Sequence, residues 1–193
     1  MRDDLYAFVT EVFVRNGITA ADHDPFIDRG DGLVALLRPA DQVPKTLLLR
    51  SVVPMLRELV ADHNTRCPDG SLRLRTVLHA GEVHYDARGP FGEALDIAFR
   101  LLDSPATKLA LRRTTAPLVL AVSDDIYRSV VRHQYDGIDP LAFTTFMAWR
   151  NSATVDSGWL HVPGRPGPLF LGAPPAGRQG TVPRAVFRPD ATE

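Results

Sequence analysis

Asp28-Arg29-Gly30-Asp31-Gly32-Leu33-Val34-Ala35-Leu36-Leu37 is the stretch around which the rest of the chain is organised. A polar turn, 28–32, runs straight into an apolar, strand-forming segment. Asp-Gly before such a segment marks a hairpin. Gly30 and Gly32 tolerate positive φ, so the backbone can reverse sharply and leave Asp31 at the tip. A carboxylate with so little apolar surface around it is free to meet a cation. The alternative is an ordinary hairpin with a solvated aspartate.

Outward from the hairpin, the periodicity predicts alternating helices and strands. Before it, Leu5, Phe8, Val9, Val12 and Phe13 recur at helical spacing over 3–16, and Asn16-Gly17 ends the run. Residues 18–24 read as a polar loop. After it, a second helix is expected from Pro44-Lys45 to about Asn64, with Pro54 kinking it or dividing it in two. Cys67-Pro68-Asp69-Gly70 is a turn. Residues 72–78 alternate and then turn apolar like a strand entering a core, continued by His79-Ala80-Gly81-Glu82-Val83, with a loop at 86–90. Helices are predicted over about 92–102 and 105–113, and a fully apolar, buried strand over 117–122. Ser123 caps a helix reaching about Arg132. Residues 143–149 and 157–162 are two further strands. The order implies an α/β (α+β) domain over 1–162, a mixed sheet with helices packed on it. Residues 163–193, rich in Pro, Gly and Ala, read as a flexible tail whose apolar spot is Leu169-Phe170-Leu171.

The bulk composition narrows the functional classes. A chain of 193 residues, 45% hydrophobic and 23% charged, is long enough for a substantial core. A net charge of −1 is no footprint for nucleic-acid binding. The single cysteine, Cys67, makes no intrachain disulfide, which fits a reducing cytoplasm. No apolar h-region follows Met1, and no apolar run reaches the length of a membrane span.

Four blocks in order resemble the catalytic domain of class III nucleotidyl cyclases. Gly30-Asp31-Gly32-Leu33-Val34-Ala35 is similar to the family's metal-binding hairpin. Residues 72–83 look like its strand leading into a His-x-Gly-Glu turn. Gly92-Glu93-Ala94-Leu95-Asp96-Ile97-Ala98-Phe99-Arg100-Leu101 is similar to its Gly-x-x-(Val/Leu)-Asn-x-Ala-x-Arg helix. Residues 120–127 resemble its strand followed by Ser-x-x-(Val/Ile/Leu)-Tyr. Asp-Arg-Gly-Asp-Gly, with His63-Asn64 before the strand, also looks like a divergent actinobacterial branch of stand-alone cyclase-like proteins.

The resemblance implies a ferredoxin-like cyclase homology domain working as a head-to-tail homodimer. It implies an NTP substrate, two Mg2+ or Mn2+ ions, and a cyclic nucleotide and pyrophosphate as products. Asp31 takes the position of the hairpin metal ligand. Arg100 takes that of the arginine that stabilises charge on the phosphate from the partner subunit, with Asp96 beside the ribose. Arg150 is the best match for the late cation that holds the terminal phosphates.

The chain also departs from the family. The family's other metal carboxylate ends a strand that precedes the first helix, and Met1 falls within that helix. The resemblance implies either a lost central strand or one encoded upstream of Met1. A sheet without that strand exposes an edge or takes a strand from a partner. Asp96 stands where the family has Asn and cannot donate as an amide does; the same spacing also suits an i,i+4 ion pair with Arg100. Ile27 and Gly89 occupy the base-selecting positions, and neither has a side chain able to hydrogen-bond a base. These departures favour an alternative: a catalytically inactive homology domain used for dimerisation or nucleotide sensing. His79, Glu82 and His84 fit no zinc spacing. Asp28 reads as a turn residue bonding to backbone.

Overall fold

The computed structural model describes residues 2–149 and 155–170. α1 (Arg2–Arg15) carries Asp3 and Asp4 in its first turn and Arg15 in its last, as a helix dipole favours. Its stripe Phe8, Val9, Val12 and Phe13 is buried, as the spacing predicts. β1 (Ile27–Asp28) and β2 (Leu33–Val34) form the hairpin. α2 (Lys45–Leu47) passes through a π-helical turn, Leu48–Val52, into α3 (Val53–Arg66). The distortion expected at Pro54 thus takes the form of a widened turn, in which the Val53 N–H donates to the carbonyl of Leu48, five residues back. Proline has no N–H to give, and its ring crowds the carbonyl four residues earlier; a wider turn relieves both.

β3 (Leu74–Leu78) is followed by a second hairpin, β4 (His84–Asp86) with β5 (Gly89–Phe91). Then come α4 (Glu93–Asp103), α5 (Pro105–Arg113), β6 (Leu118–Ser123), α6 (Asp124–Ser129), β7 (Thr144–Trp149) and β8 (Val155–His161). β3, β6, β8 and β7 lie side by side in that order, β3 parallel to β6 and the other neighbours antiparallel. This is the mixed sheet that the sequence implies.

β6 is the centre of the domain. All of its residues are buried, and alternation along the strand divides the core in two. Leu118, Leu120 and Val122 face α1 and α3; Val119 and Ala121 face Leu101 of α4, Ala110 of α5 and Leu160 of β8. Gly158 of β8 permits this second packing: a Cβ there would lie 2.8 Å from both Leu101 and Phe146. Ser123 accepts from the N–H of Ile126 (3.4 Å) and caps α6, which ends at Ser129, short of the helix expected to run to about Arg132. The ring of Trp159 lies 3.5 Å from that of Tyr127, and its N–H reaches Asp124 at 3.1 Å.

Two strands are shorter than their sequences suggest. The strand entering at 72–74 stops at Leu78 instead of running on through Val83, and the expected loop at 86–90 is a hairpin turn with strands on either side. Gly81 explains the change of course. A Cβ on it would lie 2.8 Å from that of Ala94, so the chain turns there to make room for α4. β2 is paired over only Leu33–Val34, with an isolated bridge from Leu37 to His23. Past the last strand, Leu169 is buried among the α4, α5 and β8 side chains, and its carbonyl accepts from the Thr144 hydroxyl at 3.0 Å. The packed core therefore reaches Leu169, and Phe170 is exposed. Residues 171–193 lie outside the described residues.

Among the described residues β3 has a neighbour on one side only. The Leu74 N–H donates to Pro117 at 2.7 Å, which sets the parallel ladder's phase. Arg75 and Val77 consequently direct their backbone N–H and C=O groups to the outer edge.

Candidate functional site

The hairpin turn is built around Gly30, whose φ of 81° only glycine adopts readily. The Arg29 N–H donates to Gly32 O at 2.9 Å, leaving Gly30-Asp31 as a two-residue connection. Asp28 accepts from the Gly30 N–H (2.7 Å) and pairs with Arg2 of α1 (2.8 Å), so it is the turn residue the sequence implies. Asp31 is exposed at the tip. The guanidinium of Arg29 lies 4.5 Å above the ring of Phe99 and so brings the turn against α4.

α4 buries Leu101 and presents Asp96 to solvent, with Arg100 half-buried one turn on. The carboxylate of Asp96 joins no ion pair or hydrogen bond among the described residues, so the i,i+4 pair with Arg100 does not form. Gly92 precedes the helix at φ 135°, and a Cβ there would press on the carbonyl of Glu82 at 3.3 Å. Gly81 and Gly92 are thus the small residues that let the His79–Val83 turn and the start of α4 meet. Arg150 lies outside the described residues. No group of three or more His, Cys, Asp or Glu side chains gathers as a metal site among the described residues. A hard divalent cation takes several oxygens, of which the exposed carboxylate of Asp31 offers up to two.

The reading of 18–24 as a polar loop missed a buried network. Asp22 is 4% exposed. It accepts from the backbone and hydroxyl of Thr19 (both 2.8 Å) and from Gln42 (2.7 Å), while its own carbonyl accepts from the Arg38 N–H (2.7 Å). The Thr19 backbone bond, then the Thr19 hydroxyl, then Gln42, hold its carboxyl below the ordinary range. Asp24 accepts from the Tyr85 hydroxyl and pairs with Arg38. The phenol, and next to it Arg38, depress the Asp24 pKa, and the same carboxylate raises that of Tyr85. Spacing could not reveal a contact across 61 residues; the available clue was an aspartate-proline step, Asp24-Pro25, just before a strand.

This network ties the two hairpins together beside a cleft of about 350 Å3, lined by Asp24, Pro25, Ile27, Leu36, Tyr85 and Pro90. Its walls are apolar and its polar end is the Asp24–Tyr85 pair. Ile27 and Pro90, the latter adjoining Gly89, converge there from separate hairpins. No family model, curated protein or solved structure matches the chain. Among the described residues no helix is long and apolar enough to cross a membrane.

Proposed function

We propose that this chain is a class III nucleotidyl cyclase-like domain that pairs as a homodimer and binds a nucleoside triphosphate with a divalent cation. The observation that carries the reading is the cleft between the hairpins. The resemblance assigns base selection to Ile27 and Gly89, and the cleft is lined by Ile27 and by Pro90, the neighbour of Gly89. Apolar walls suit the faces of a base, while Asp24 and Tyr85 offer an acceptor and a hydroxyl at one end. Asp31 would hold the cation. Asp96 and Arg100 of the second copy would meet the ribose and the phosphates.

In the cyclisation reaction the ribose 3′-oxygen attacks the α-phosphorus. The bond from that phosphorus to the bridging oxygen breaks, and pyrophosphate leaves. A cation at Asp31 would lower the cost of charge on the phosphates, and a guanidinium at Arg100 would take up charge developing in the transition state. The 3′-hydroxyl proton needs an acceptor, for which a second carboxylate with its own cation is the family's device. A specific observation therefore supports a second reading: with one carboxylate at the hairpin tip, the chain binds the nucleotide complex without turning it over.

The test is incubation with each NTP and Mn2+, following pyrophosphate, cyclic product and equilibrium binding. Product formation abolished by Asp31→Ala establishes the enzyme. Binding without product, lost in Asp31→Ala and in Ile27→Trp (which fills the cleft), establishes the sensing domain. Absence of both binding and product overturns both readings.

A further inference from the structure

At the far end of α2–α3 a second cavity of about 340 Å3 opens beside the π-helical turn. Leu49, Pro54, Ile138, Ala142 and Phe143 supply apolar walls, and Arg50, Arg165, Asp139 and His161 the polar groups. Arg50 and Arg165 are exposed, and neither guanidinium joins a hydrogen bond or ion pair among the described residues. Asp139 is committed in part to the N–H of Leu141 (2.9 Å), which it caps. Two turns beyond Arg50, Arg57 lies against Gly164, the residue before Arg165; a Cβ on Gly164 would sit 3.0 Å from its guanidinium carbon. The Nε of Arg57 is buried and has no hydrogen-bond partner among the described residues. A buried donor left unsatisfied is costly. Arg50 and Arg165 thus line the cavity with the carboxylate of Asp139, while Arg57, against Gly164, does not line it.

His161 completes the wall. The Ala142 carbonyl can only accept, so the ring's Nδ1 carries the proton in that contact (3.1 Å) and Nε2 remains an acceptor. The ring of Phe143 is stacked on the imidazole at 4.7 Å. Burial lowers the His161 pKa, so the ring is predominantly neutral at pH 7. π-Helical turns recur at functional sites, and this one places Arg50 at the cavity.

We infer that this cavity is a binding site for a small phosphomonoester, separate from the cleft between the hairpins. Planar guanidinium forks at Arg50 and Arg165 match the oxygens of a phosphate dianion two at a time. The apolar wall from Leu49 to Phe143 would take the organic part of the ester, and the volume suits a ligand of that size. The inference does not rest on the cyclase reading, because no residue of the cleft, the hairpin tip or α4 lines this cavity.

The probes are inorganic phosphate and phenyl phosphate, added to the full chain at constant ionic strength, with melting temperature and calorimetric binding as readouts. Both probes are expected to raise the melting temperature above a sodium chloride control, phenyl phosphate binding the tighter. Arg50→Gln with Arg165→Gln, both at exposed positions, should weaken binding about 10-fold or more, while Asp31→Ala leaves it unchanged. Binding of phosphate and phenyl phosphate with equal affinity removes the apolar part of the proposal. No shift beyond the chloride control, or a shift that survives the double substitution, overturns it. Should the double variant not fold, Ile138→Trp blocks the cavity from its apolar side and is expected to abolish phenyl phosphate binding.

Discussion

β6 and β2 begin from similar sequence and end differently. Leu118-Val119-Leu120-Ala121-Val122 is a strand with a neighbour on each side and no exposed residue. Leu33-Val34-Ala35-Leu36-Leu37 is as apolar, yet only Leu33 and Val34 are paired within the hairpin, Leu37 makes an isolated bridge to His23, and every residue of the run is half-buried. A β-prone run becomes a strand only as far as backbone partners exist for it. The outer edge of β3 is the matching deficit, since Arg75 and Val77 point their backbone groups to a side where no described strand lies.

The comparison breaks if the two runs contribute equally to stability. Leu120→Ala removes a fully buried side chain between α1 and α3 and should cost about 3 kcal/mol. Leu33→Ala, half-buried in a hairpin paired on one side, should cost about 1 kcal/mol. Chemical denaturation of both variants measures the difference. Equal losses would show that the hairpin is as firmly built as the sheet.

A smaller effect sharpens the same comparison from the hairpin side. Asp22 anchors the chain leading into β1, and its folded pKa is depressed. Its contribution is therefore complete above the unfolded value of about 3.9 and disappears as pH falls through the lower folded value. Asp22→Asn should be less stable than the parent at pH 7. The gap between their urea midpoints should narrow as pH drops below about 4. A gap independent of pH would assign the role of Asp22 to shape rather than charge.

Much of the fold was legible from periodicity. The stripe of α1, the apolar run of β6, the Ser123 cap and the pair β7–β8 each follow from a local rule. The local rules failed where distant contacts decide. Nothing near residue 81 announces that Ala94 will arrive within touching distance, so the alternation alone overextends β3. Residues 18–24 are a loop, as expected, but nothing within them announces Gln42 or Tyr85, the partners that fix Asp22 and Asp24. Of the residues marked for function, Asp31 stands at the turn and Asp96 and Arg100 share one side of α4. They come from separate elements, and within one copy the guanidinium of Arg29 lies over the ring of Phe99 on α4.

The central claim is that Asp31 and Arg100 serve one nucleotide site from different copies of the chain. Subunit mixing tests it most directly. Asp31→Ala and Arg100→Gln are each expected to abolish NTP–Mn2+ binding alone. A mixed and re-equilibrated 1:1 sample should recover roughly a quarter of the parent's binding capacity, because half of the dimers then carry one intact site of two. No recovery on mixing, with both variants folded and dimeric, would contradict the account.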